Sequence, residues 1–321
     1  MELGLFCFTL LIMPAPLQPA LLSPAGPEVS PLVYGTWRIL DDDGDGVAAP
    51  ARLAECLATC IDLGITTLDT AEIYGGYRVE AALGDALRHD PGLRRKLQVV
   101  TKAGIDVPSA EKAHARLSHY NATAQNLVAC AEKSLRHLGV EVLDLFLVHR
   151  PDWLTPAADT AAGLDRLLES GKIRHVGVSN YSTHQFDTLN ALMGGRLRTN
   201  QVELSPLAMG AMEDGTLQQC ERLGIRPMAW SPLGGGRIFD QQDAAAGRVR
   251  AAFESIRARY HGADDAALSI AWIMAHPSRP IPVIGTNRPA RIRSAGAASG
   301  IAMERQDWYA VWEAAAGRPV P

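Results

Sequence analysis

An α/β fold closed as a (β/α)8 barrel, the TIM-barrel class, is the architecture this sequence predicts, on three observations. Eight short strand-like runs alternate with amphipathic helical stretches along the chain. Each strand-plus-helix unit takes about 30 residues, the length of a βα repeat. The 321 residues suffice for one large barrel of eight such units.

The elements run in order. "PALLSPAGPEVSPLVYG" places a Pro-Ala-Gly-Pro turn between two apolar pieces, a β-hairpin suited to plug the barrel bottom. The strands are "LVYGTW" (32–37), "TTLDT" (66–70), "LQVVTKA" (97–103), "VLDLFLVH" (142–149), "RHVGVSN" (174–180), "TNQVEL" (199–204), "RPMAWS" (226–231) and "IPVIGT" (281–286). Most are continuous apolar runs, as parallel strands covered on both faces require. Helical patterns cover 51–63, 78–89, 123–138, 157–170, 183–193, 212–223 and two stretches within 247–275, and a last helix closes the chain. A doubly wound sheet would want an early GxGxxG or GxxxxGK[ST] loop, and neither occurs.

Residues 13–321 read as one domain. Residues 1–12 are apolar and read as a leader or a misassigned start, with Met13 as the true initiator. No Lys or Arg precedes Arg38, which disfavours a secretory signal, and the run is too short to span a membrane. "DDDGDG" (41–46) lacks the closing Glu of a calcium loop and reads as a solvated turn.

Net charge is −4 with the signs interspersed, so neither a nucleic-acid nor a membrane partner is expected. The five cysteines are scattered, and Cys56 and Cys60 read as small buried side chains on a helix. A cytoplasmic, reducing setting is expected. His114 and His119 are five apart, a poor ligand spacing, and no metal is expected.

Barrel sites gather at the C-terminal ends of strands. There the chain places Asp69, Lys102 and His149 on three consecutive strands, with Tyr74 in the loop after the second. An unpaired Asp or Lys buried there would cost several kcal/mol, about 3–5 when a partner is missing. Paired, they form a charged site. A tyrosine titrates near ~10. Lys102 beside it is expected to lower that value, and Asp69 to hold the ammonium in place. Tyr74 then serves as general acid, and a neutral His149 orients a carbonyl oxygen. The set suits hydride addition to a carbonyl, the hydride coming from a cofactor. Ser179, Asn180 and Gln201 offer the donors and acceptors a carboxamide needs. Trp230 offers a flat face to a nicotinamide ring. "SPLGGG" is a backbone-rich loop, and the helix start in "GTNRPARI", with Arg288 and Arg291, can hold a phosphate.

"LDTAEIYG", "VVTKAG", "LFLVHRPD", "HVGVSNY", "TNQVELSPL", "MAWSPLGGG" and "IPVIGTNRPARI" together resemble the aldo-keto reductase family, in its order and spacing, from about Gly26 to the end. "GPEVSPLVYGTWR", "EIYGGY" and "RPMAWSPLGGGRIF" resemble its bacterial YdhF-type branch. The resemblance implies a barrel that reduces an aldehyde or ketone with NADPH bound without a Rossmann fold. It implies Asp69, Tyr74, Lys102 and His149 as the catalytic set. It carries cofactor contacts to Ser179, Asn180, Gln201, Trp230, Ser231, Leu233 and Gly234, and on the adenine side to Thr286, Asn287 and Arg291. Many members have a lysine near the 2′-phosphate where this chain has Gly285. That departure weakens the preference for NADP over NAD, with Arg288 as the substitute cation. The stretch 105–122 is long for a βα loop and is expected at the substrate mouth, with Trp37 and Tyr77 as walls. The family permits a monomer or weak oligomer. The competing reading is a non-catalytic, nucleotide-binding regulatory barrel, against which the complete four-residue set argues.

Overall fold

The computed structural model describes residues 16–41 and 49–321. The sequence expectations for residues 1–12 and most of the 41–46 turn lie outside the described residues.

Eight parallel strands close a barrel: Val33–Gly35 (β1), Thr67–Asp69 (β2), Gln98–Ala103 (β3), Leu143–Val148 (β4), Ile173–Ser179 (β5), Leu197–Glu203 (β6), Met228–Trp230 (β7) and Ile281–Ile284 (β8). Closure is made by β8 against β1, with Val283 opposite Val33. All eight strands stand where the apolar runs placed them.

The strand period of two divides the core into two layers. Leu145 and Leu147 of β4 point into the barrel with Val33, Val100, Met228, Ile281 and Val283. Phe146 and Val148 point outward, into the jacket shared with the helices. All six residues of β4 are buried, and the strand is apolar but for Asp144, whose carboxylate accepts from Val99 N–H at 2.9 Å and pairs with Arg174.

The expected hairpin forms. Ala20–Leu21 pairs antiparallel with Glu28–Val29. Leu22 and Val29 pack on the interior layer, so the hairpin closes the end opposite the candidate site. Arg226 N–H donates to Leu22 O at 2.7 Å and ties it to the start of β7.

The principal helices are Ala49–Asp62 (α1), Val79–His89 (α2), Ala124–Leu138 (α3), Ala157–Glu169 (α4), Thr183–Leu192 (α5), Thr216–Leu223 (α6), Ala244–Ile256 (α7), Asp265–Met274 (α8), Pro289–Ala297 (α9) and Arg305–Ala316 (α10). Their ends carry local signals. The Thr123 hydroxyl caps α3 by accepting from Asn126 N–H, and Gly139 ends that helix at φ 66°. Ser182 and Gln185 form a capping box on α5. The terminal helix α10 is held to α8 by a stacked pair, Trp272 and Trp308, with ring centroids 4.8 Å apart. Each indole N–H donates to the other residue's carbonyl, at 3.0 and 2.9 Å. No helix among the described residues is long and apolar enough to cross a membrane.

The long connection after β3 is a tethered structure. Ile105–Asp106 pairs with His119–Tyr120 across a short turn at Ala110–Lys112. Lys112 Nζ reaches the buried carboxylates of Asp106 at 2.7 Å and Glu72 at 3.5 Å. His114 and His119 each approach Asp106 Oδ2 at 3.6 Å.

Candidate active site

Asp69 ends β2, and Lys102 lies on β3 two residues beyond Val100, the register partner of Asp69. Lys102 is 1 % exposed, and its three ammonium donors are all used. Nζ donates to Asp69 Oδ2 at 2.7 Å, to Thr70 O at 2.8 Å and to Tyr74 OH at 3.1 Å. This pairing lets a lysine sit inside a barrel mouth despite its desolvation cost.

Tyr74 arrives by a tight turn, in which Gly75 and Gly76 take φ of 57° and 64°. These left-handed conformations cost an L side chain energy, and a Cβ at Gly75 would also lie 2.8 Å from a Val79 methyl. The glycines of "YGG" therefore set the approach of the phenol to Lys102.

The expected lowering of the tyrosine pKa does not occur. Burial pushes the Tyr74 phenol above its ordinary value, outweighing Lys102, which lowers it, while Asp69 raises it further. The reason is burial: the phenolate would lose its hydration inside the mouth, and the ammonium, its field partly offset by Asp69, does not make up for that loss. Burial pulls Lys102 down, but Asp69 and Tyr74 more than restore it, and its pKa ends above the ordinary lysine value.

His149 succeeds β4, its N–H donating to Ala103 O at 2.8 Å. Its ring stands edge-on to Tyr74, with centroids 6.0 Å apart at 75°. Burial first, then Lys102 and Arg150, drive its pKa well below the ordinary histidine value, so the ring is neutral at physiological pH. Its Nδ1 is buried and makes no hydrogen bond.

The four residues thus converge. Gln201, expected only as a carboxamide contact, also grips the set, its Nε2 donating to Asp69 Oδ1 at 2.8 Å. Ser179 Oγ donates to Gln201 O, and Asn180 Nδ2 donates to Ser179 Oγ, both at 2.8 Å. Trp230 Nε1 donates to Asn180 Oδ1 at 3.0 Å. These groups form one chain of hydrogen bonds along the ends of β5, β6 and β7. Asn180 and Ser231 both have positive φ, 60° and 51°, an unfavourable backbone for such residues that clusters at functional sites.

The remaining expected cofactor residues fall into two groups. Leu233 and Gly234 lie in the loop after β7. Gly234 has φ +59°, and a Cβ there would lie 3.2 Å from Leu207. Thr286 and Asn287 lie just beyond β8; Arg288 and Arg291 are exposed at the start of α9. Asn287 is buried, and its Nδ2 donates to Arg38 O. Arg38 in turn donates to Gly235 O at 3.2 Å. Arg38 is therefore a clasp between the loops after β1, β7 and β8, and nothing local in the sequence marked it.

Trp37 is 58 % exposed, with its ring centroid 6.3 Å from that of Tyr74, at the mouth. Tyr77 does not line the mouth. It is buried, and its hydroxyl accepts from Val107 N–H at 2.8 Å, pinning the 105–122 connection. The positive φ of 68° at Tyr77 turns the side chain inward, a reversal the sequence did not signal. Sequence reasoning also missed Arg150, the neighbour of His149, whose charge acts on both His149 and Tyr74. Its adjacency to His149 in "LFLVHRPD" was the available signal.

A closed parallel barrel with an acid, an ammonium, a phenol and a neutral imidazole at its C-terminal rim defines the class as an oxidoreductase that reduces carbonyls. The chain belongs to the aldo/keto reductase family, whose model matches residues 31–315. It is 44 % identical over 293 residues to the 6-dehydroglucose reductase of Agrobacterium fabrum, covering 91 % of this chain and 96 % of that protein. It is 39 % identical over 300 residues to oxidoreductase YdhF of Escherichia coli, covering 94 % and 98 % respectively. The fold matches that of the glycerol dehydrogenase AKR11B4 from Gluconobacter oxydans with a TM-score of 0.78 at 24 % identity, covering 92 % of this chain and 94 % of that one. Members of the family use nicotinamide cofactors, and this chain is an enzyme of that kind.

Proposed function

We propose that this enzyme reduces an aldehyde or ketone to an alcohol with NADPH, with Tyr74 as the general acid. The observation that carries the reading is the three-way contact of the Lys102 ammonium with Asp69, Thr70 and Tyr74.

The residues present fit a nicotinamide nucleotide. Ser179, Asn180 and Gln201 gather amide and hydroxyl groups that can meet a carboxamide. Trp230 is partly exposed beside them. Gly235 and Gly236 leave open space where a Cβ would stand, so a pyrophosphate can approach their backbone. Thr286, Asn287, Arg288 and Arg291 gather just beyond β8 and at the start of α9 and are proposed to hold an adenosine 2′-phosphate, which favours NADPH over NADH. When bound, the reduced nicotinamide supplies the hydride to the carbonyl carbon.

The side chains do the rest. Tyr74 gives its phenolic proton to the carbonyl oxygen as negative charge develops there. Lys102 stabilises the phenolate that remains, and Asp69 keeps Lys102 charged and in place. Neutral His149 holds the carbonyl oxygen by hydrogen bonding without competing for the proton. The 6-dehydroglucose named for the Agrobacterium fabrum relative favours an oxygen-rich aldehyde as substrate. The four cysteines among the described residues are buried free thiols, which fits the cytoplasm. Residues 13–321 are proposed to act as one domain, as a monomer or weak oligomer.

Replacing Tyr74 by Phe tests the assignment. Turnover of an aldehyde should fall by about 10²-fold or more, the usual range for losing a general acid. Tryptophan quenching by NADPH should persist. Undiminished turnover in the variant would remove Tyr74 from the mechanism.

A further inference from the structure

We propose that Lys112 is a positioning residue for the reduction, acting through Glu72 to hold the turn that carries Tyr74 against the end of β3. The inference rests on the reductase reading above.

Glu72 stands in the turn between Asp69 and Tyr74. Its backbone N–H donates to Lys102 O at 3.0 Å, which docks the turn on β3 beside the ammonium of the site. Its side chain is 2 % exposed, and neither carboxylate oxygen makes a hydrogen bond. The charge is met by ion pairing instead. Lys112 Nζ lies 3.5 Å from Oε1 and Lys133 Nζ 3.9 Å from it. Lys133 is held more closely elsewhere, 3.0 Å from Glu111 Oε2. Lys112 is therefore the cation on which Glu72 chiefly depends.

Lys112 is fixed on its other side. Its ammonium pairs with the buried Asp106 at 2.7 Å and donates to Asn126 Oδ1 on α3 at 3.4 Å. Asp106 lies just past the end of β3, the strand that bears Lys102. Chain and contacts thus close a ring: Lys102 to Asp106 along the backbone, Asp106 to Lys112 to Glu72 by charge, and Glu72 back to Lys102 by its N–H. Tyr74 stands two residues beyond that ring. Gly75 and Gly76 follow it and offer no side chain to anchor it. The contact at stake is Lys102 Nζ to Tyr74 OH, at 3.1 Å the longest of the three that Lys102 makes.

A buried carboxylate stripped of its cation is strongly disfavoured, and movement toward water relieves it. Glu72 cannot move in that way without shifting the turn. A misplacement of about 1 Å at a reacting group, caused from a distance, costs about 10²-fold in rate.

The test measures the single-turnover rate constant of NADPH oxidation by saturating D-glyceraldehyde in wild type, Lys112→Met, Lys112→Arg, Glu72→Leu and the double variant Lys112→Met/Glu72→Leu. A rate constant, unlike an amplitude, does not change with the fraction of protein that is folded. Lys112→Met and Glu72→Leu should each lose about 10–100-fold, with the KM for the aldehyde and tryptophan quenching by NADPH unchanged. The double variant should lose no more than Lys112→Met alone, because the two residues act as one unit. Lys112→Arg keeps the cation and should recover most of the rate.

Losses that multiply in the double variant would overturn the inference, since Lys112 would then act by another route. A full rate constant in folded Lys112→Met, or a change confined to KM, would overturn it too. Where Lys112→Met does not fold, Glu72→Leu decides alone, and an undiminished rate constant there overturns the inference. A wild type that oxidises NADPH with no aldehyde would overturn the reductase reading itself.

Discussion

Gln201 Nε2 bonds Asp69 Oδ1 at 2.8 Å across the barrel, while Lys102 takes the other carboxylate oxygen at 2.7 Å. Asp69 is thus held from two sides, by β6 and by β3. Replacing Gln201 with Met leaves Oδ1 buried without a donor, at a cost of about 1–3 kcal/mol. The expected result is a destabilised enzyme in denaturant melts whose kcat falls while Lys102 and Tyr74 remain in place. A variant with unaltered stability would show that water replaces the amide fully.

The pH profile of reduction is set by two shifts of known direction. Tyr74 must be protonated to act, and its pKa lies above the ordinary value of about 10. Activity is therefore retained through neutral pH and lost only as pH rises beyond that value. His149 must be neutral, and its pKa lies well below the ordinary value of about 6.5. Measured kcat/KM for reduction should be flat from about pH 6.5 to 9, given those reference values. An ionisation within that window would contradict the assigned protonation states.

Glu80 is buried on α2, where its carboxylate accepts from Thr101 Oγ1 at 2.6 Å. Burial, opposed by the Thr101 hydrogen bond and the nearby Ser134 hydroxyl and aided by Glu72, raises its pKa to about 7. A carboxyl whose folded pKa is raised favours the folded state most below its unfolded pKa, and loses that advantage as pH rises through the folded one. Over that span the loss is about 3 kcal/mol, order of magnitude, at one pKa unit per 1.36 kcal/mol. Glu80→Gln should flatten the fall in stability between pH 5 and 8, as read by urea midpoints at each pH.

Gly285 is exposed, and a Cβ there meets nothing within 4 Å. Gly285→Lys should fold normally and add a cation beside the proposed 2′-phosphate site. An exposed charge pair is worth about 1 kcal/mol at most, so NADPH should bind up to about fivefold tighter, with NADH unchanged. Equal tightening of both nucleotides would place the adenosine phosphate elsewhere.

The sequence by itself determined the barrel and the polar set at its rim. Parallel strands covered on both faces must be apolar throughout, so most of the eight showed as uninterrupted runs, and the residues that close each run stand at the C-terminal rim. Asp69, Tyr74, Lys102 and His149 were therefore placed by local pattern, and the family motifs reinforced them. Only the tertiary structure decided how these groups affect one another. Asp69 and Gln201 are 132 residues apart and meet only because the barrel closes. The Tyr74 phenol goes up in pKa because burial outweighs the field of Lys102, which Asp69 partly offsets, a balance of distances and burial. Tyr77 turns inward on a backbone angle that its residue type does not announce. Arg150 faces a cleft whose walls come from separate loops and strands. Spacing along the chain records the periodicity of each element, but charge balance and burial depend on which elements close over which.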